Sequence, residues 1–179
     1  SAKKVRTIYS QNYHGKVKDT YVFSLSSTII TPDGIHDSGA DYNERMRSKR
    51  NDYVHQPAVN LIFVGPDNSK QFLFKKDSLI RESHLANFDK KQGQLLNGNI
   101  YEVSIEDTNE DGFLDYRDKK ALYTSSYNGL NASLILDDIE SHQRLGDNAV
   151  LIVKRGEKQK NFYEYKVDSN KLTQLNTST

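Results

Sequence analysis

The 179-residue chain has no cysteine and no tryptophan, a single methionine and only three prolines. Without cysteine there can be no disulfide, no zinc-thiolate site and no thiol nucleophile. Long apolar runs are missing as well: nothing approaches the roughly 20 consecutive apolar residues of a membrane-spanning helix, so no transmembrane segment is expected. Charge of one sign does not prevail, because 25 Lys and Arg face 24 Asp and Glu. That balance removes any chain-wide attraction to polyanions, and nucleic acid is not an expected partner. A Walker-type phosphate loop and a G-x-S-x-G nucleophile elbow are also lacking.

What is present is a set of short β-branched and aromatic runs. They are Val5 to Tyr9, Tyr21 to Ile30, Val59 to Val64, Phe72 to Phe74, Ile100 to Ile105, Leu134 to Leu136, Ala149 to Val153 and Phe162 to Val167. Such runs suit half-buried pleated surfaces, so strands dominate the expectation. No long capped helical stripe occurs, and two short helices are the most the pattern supports: Asp41 to Arg50, and a turn or two from Tyr116 through Leu122. The length fits one domain, residues 1–179.

Three stretches share a strand, polar turn, strand pattern: residues 61 to 74, 122 to 136 and 162 to 175. Their turns are Gly65-Pro66-Asp67-Asn68, Asn128-Gly129 and Asp168-Ser169-Asn170, residues that tolerate positive φ or pre-set a turn. These hairpins resemble the outer hairpins of TolB-like β-propeller blades. At roughly 40 to 45 residues per blade the resemblance implies a partial array or about four blades. A β-sandwich with a long connection satisfies the same strands. The expected fold is therefore mainly β and antiparallel, propeller-like or sandwich, with the connection from Thr31 to Gln56 on the surface.

The most specific motif is DTNEDGFLDYRD at 107–118. Counted from Asp107, the residues Asp107, Asn109, Asp111, Asp115 and Asp118 fall at positions 1, 3, 5, 9 and 12, with Gly112 at 6 and the carbonyl of Phe113 at 7. This is the oxygen-donor register of an EF-hand calcium loop: a hard cation wants six to eight oxygens, and the glycine allows the sharp turn. Leu114 at position 8 suits the apolar anchor of such loops. Closure by Asp118 in place of Glu makes the loop resemble those of dockerin modules, but only one copy is present and a strand precedes it. The expectation is one Ca2+ acting as a structural clip between strand and short helix, since a sensor needs two packed helices that open.

Other constellations are weaker. Asp33, His36, Asp37 and Asp41 in TPDGIHDSGAD supply the one candidate acid and base set, for a hydrolase acting on a glycan or ester. Arg45, Arg47, Lys49 and Arg50, interleaved with Tyr42 and Tyr53, read as a solvated face because Glu44 and Asp52 dilute them. His14, His55, His84 and His142 are scattered and take no role. The expected function is a non-enzymatic calcium-binding or scaffold module with a protein or glycan partner. A weak calcium site suits an extracytoplasmic setting, where calcium is abundant. The whole resembles bacterial envelope or secreted proteins, their export signal not within this chain.

Overall fold

The computed structural model of the chain describes residues 6–32, 34–37, 53–54, 58–88 and 96–179. In chain order its strands are β1 (Arg6–Val17), β2 (Thr20–Thr31), β3 (Gly34–Asp37), β4 (Tyr53–Val54), β5 (Asn60–Val64), β6 (Lys70–Phe72) and β7 (Leu79–His84). They continue as β8 (Asn99–Ser104), β9 (Lys120–Ser125), β10 (Ser133–Ile139), β11 (Ser141–Leu145), β12 (Ala149–Arg155), β13 (Lys160–Lys166) and β14 (Lys171–Gln174). All pairing is antiparallel. The first sheet runs β1-β2-β5-β6, with β3 also on β2; the middle sheet runs β10-β9-β8-β7-β4; the third runs β11-β12-β13-β14.

The sheets stack through two apolar layers. Val22, Leu61 and Phe63 of the first sheet meet Ile80, Tyr101 and Val103 of the middle one. On the opposite face, Ile100, Leu122 and Ile139 meet Val150, Ile152 and Tyr165 of the third sheet. Side chains alternate across a strand, so a sheet covered on both sides must bury every residue of its central strand. Strand β8 does so at all six positions. Its polar members are satisfied in place: the Asn99 amide donates to Tyr101 Oη at 2.8 Å, and its Oδ1 accepts the Ala86 N–H at 2.6 Å.

Mainly β and antiparallel is therefore the architecture. The three expected hairpins are β5-β6, β9-β10 and β13-β14, each the last two strands of its sheet in chain order. Asn68, Gly129 and Asn170 take positive φ in their turns. Three sheets, with no closed barrel, differ from a ring of about four blades and from a two-sheet sandwich alike. The helix expected from Tyr116 to Leu122 is absent: Tyr116 and Arg117 lie in a turn and β9 begins at Lys120. Pairing on both sides overrides the local preference of Lys119-Lys120-Ala121-Leu122, since Leu122 is fully buried between Glu102 and Leu136. The other expected helix, Asp41 to Arg50, lies outside the described residues. Among those described, no helix is long and apolar enough to cross a membrane.

Candidate functional site

The acidic loop is the β8 to β9 connection of the middle sheet, entered from a strand as expected and left into a strand. Its neck is closed by Asp118, which is 4% exposed. Oδ1 of Asp118 accepts the N–H groups of Thr108 at 2.8 Å and Asn109 at 3.3 Å, and Oδ2 accepts that of Asp115 at 2.8 Å. The Lys119 N–H returns the tie to Thr108 Oγ1 at 2.8 Å. Asp107 accepts from Gly112 at 2.8 Å and Asp111 at 3.3 Å, which folds the chain over itself. Gly112 has φ 87, a value that favours glycine at this position. Asp111 Oδ1 accepts the Phe113 N–H at 2.9 Å, while the Asn109 amide donates to Asp111 Oδ2 at 3.2 Å. These bonds link Asp107, Asn109, Asp111, Asp115 and Asp118 through backbone N–H groups and the Asn109 amide, while among the described residues no three of the loop's carboxylates lie within 4.8 Å of one another. The Phe113 ring is exposed and Leu114 is half-buried.

Two arginines frame the loop, and neither belongs to its motif register. Buried Arg81 of β7 donates to the carbonyls of Asp115 at 3.2 Å and Asp118 at 2.9 Å and to Ser104 Oγ at 3.0 Å, pinning the last turn to the sheet. Exposed Arg117 bridges Asp111 Oδ2 at 3.3 Å and Asp115 Oδ2 at 2.6 Å. Hydrogen bonding from Arg117 lowers the Asp115 pKa, and Asp115 in turn raises that of Arg117. The carboxylates at positions 5 and 9 therefore already share a cation. An all-oxygen donor set suits a hard ion such as Ca2+. A carboxylate offers about four lone-pair sites, and three N–H donors leave Asp118 little room for the two-oxygen grip that a Glu would give.

The carboxylate set at 33–41 is not assembled by the described residues. Gly34–Asp37 form β3 beside β2, while the side chains of His36 and Asp37 and the residues Asp33 and Asp41 lie outside them. The basic cluster Arg45, Arg47, Lys49 and Arg50 lies outside them too.

A different constellation forms where the middle and third sheets meet. Glu82 and His84, two apart on β7, project from one face of the strand, and His142 of β11 reaches them from the third sheet. The His84 and His142 Nε2 atoms are 3.1 Å apart, and Glu82 Oε2 lies 3.3 Å from His142 Nε2 and 3.6 Å from His84 Nε2. Behind His142, Nδ1 is 3.4 Å from Oε1 of Glu102, whose carboxylate is held by Lys120 Nζ at 2.8 Å. Burial works against the charged form of Glu102, yet His142 and Lys120 outweigh it and hold its pKa at about 2. Burial lowers the His84 pKa against the opposing pull of Glu82, which favours the neutral imidazole. The available sequence signal was Glu82-x-His84, a spacing that puts two donors on one face once 79–84 is known to be a strand.

No protein-family model, no curated protein and no solved structure matches the chain.

Proposed function

We propose that the protein is a calcium-binding, non-enzymatic scaffold module in which one Ca2+ clips the β8 to β9 connection. The observation that carries this reading is the EF-hand register of Asp107, Asn109, Asp111 and Asp115 on a loop whose neck Asp118 closes through backbone N–H groups. Calcium would bind through those side chains and the Phe113 carbonyl. It would supply charge neutralisation and a fixed loop, with no reaction step. The crowded Asp118 carboxylate argues for weak affinity. Weak sites stay filled where calcium is plentiful, so the same reading places the module outside the bacterial cytoplasm, with a protein or glycan partner. Its architectural half takes the three sheets as a partial propeller-like array, supported by the recurrence of one hairpin type as the last pair of strands in each.

The test is thermal unfolding with calcium and with chelator. Millimolar Ca2+ raises the melting temperature, by about 4–8 °C if it adds about 1–2 kcal/mol, and Asp107→Ala or Asp111→Ala abolishes the rise. Superimposable curves with calcium and chelator end the proposal.

A further inference from the structure

We propose that Glu82, His84 and His142 form a binding site for one divalent cation of the zinc class, clamping the middle sheet to the third. Three donor atoms from two sheets converge there, all within 4.8 Å of one another. A tetrahedral zinc ion with bonds of about 2.0 Å sets its ligand atoms about 3.3 Å apart, and the observed separations are 3.1, 3.3 and 3.6 Å. Two imidazole nitrogens and one carboxylate oxygen suit a borderline cation and not calcium, which prefers oxygen alone. Three protein ligands leave a fourth position for water.

The surroundings carry both signs of charge: Arg144, two residues along β11 from His142, acts on His84 as a positive neighbour, and the Glu102 carboxylate stands behind His142. The carboxylate of Glu102 lies 3.4 Å from Nδ1 of His142, beyond a formed hydrogen bond, and its negative charge favours the tautomer with the proton on Nδ1, which leaves the Nε2 lone pair bare toward a metal. That bare Nε2 then faces a carboxylate oxygen of Glu82 at 3.3 Å and the other Nε2 at 3.1 Å. Of the three converging atoms, only His84 Nε2 can then bring a proton if the rings are neutral, and one N–H must serve two acceptors. A cation at the centre satisfies all three at once. The side chains are 3%, 12% and 17% exposed for His142, His84 and Glu82, sheltered but not sealed from an entering ion. Lys120 compensates the charge of Glu102, so the carboxylate behind the ligand is retained without a second ion. The site shares no residue with the acidic loop and does not rest on the calcium reading.

Chelator-treated full-length chain is titrated with Zn2+ against a chromophoric competitor, and with Co2+ while visible absorption is recorded. One equivalent of Zn2+ at sub-micromolar Kd and intense tetrahedral Co2+ bands are expected. His84→Ala and His142→Ala each weaken binding at least 100-fold, and Glu102→Gln about 10-fold through His142. Asp107→Ala leaves zinc binding unchanged, which separates the two sites. Less than one equivalent in the wild type, six-coordinate Co2+ bands, or undiminished Zn2+ affinity in the folded His84→Ala, His142→Ala double variant overturns the proposal. Far-ultraviolet circular dichroism identifies the folded variants, and the wild-type measurements decide the matter if the variants fail to fold.

Discussion

At the scale of single residues, the two arginines of the acidic loop do opposite jobs. Arg81 is buried and spends its donors on backbone carbonyls, so it belongs to the scaffold under the loop. Arg117 is exposed and sits on the side chains of Asp111 and Asp115, where a calcium ion would have to sit. Calcium binding must therefore displace a guanidinium that is already paired. Arg117→Gln removes the competitor and leaves the oxygen set intact, so calcium affinity measured by isothermal titration should rise, by about three- to ten-fold at low salt. The gain should shrink as salt screens the exposed charges. Weaker binding in this variant would show that Arg117 supports the site and does not compete for it.

At the scale of elements, the β9-β10 hairpin shows how turn chemistry serves the packing of sheets. Gly129 has φ 81, and a Cβ there would stand 2.3 Å from the Phe63 ring of the first sheet. The Gln71 amide meanwhile donates to its carbonyl at 2.9 Å. Gly129→Ala must move a buried aromatic ring as well as strain the turn. A loss of about 3 kcal/mol in urea-unfolding stability is expected, and a neutral effect would mean that the hairpin is not docked on Phe63. This hairpin was legible as a sequence because Asn128-Gly129 sits between apolar runs, and the same holds for Gly65 to Asn68 and Asp168 to Asn170. The strands that carry the histidines were not. LIRESH in β7 and SHQRL in β11 lack an apolar alternation, because their inward positions are filled by Arg81, Glu82, His84 and His142 in place of Val or Ile. A buried polar cluster erases the periodicity by which a half-buried strand is recognised. The acidic loop was readable for the opposite reason: its candidate oxygen donors are contiguous, whereas Glu82, His84 and His142 meet only after two sheets have stacked.

At the scale of the whole molecule, the two interfaces of the middle sheet differ in kind. Its contact with the first sheet is an apolar layer built around Phe63 and Tyr101, while its contact with the third mixes Ile100, Leu122 and Val150 with the Glu82, His84, Glu102 and His142 cluster. Acid should therefore act on the second interface first. Burial depresses the His84 pKa, so its contribution to stability is complete above the model-peptide value of about 6.5 and is lost as the pH falls below it. Glu102, held at about 2 against an ordinary 4.5, contributes fully above 4.5 and loses that contribution between 4.5 and 2. Its share is on the order of 3–4 kcal/mol at neutral pH, by the rule of about 1.4 kcal/mol per pH unit. Hydrogen exchange followed from pH 7 to pH 4 without metal, corrected for the intrinsic pH dependence of exchange, should show β11 to β14 losing protection ahead of β2 and β5. Zinc should delay that loss if the cluster binds it, because protons and metal compete for the same Nε2 atoms. Simultaneous loss of protection in all three sheets would mean that the stack unfolds as one cooperative unit, with the polar cluster setting its overall stability and not its order of opening.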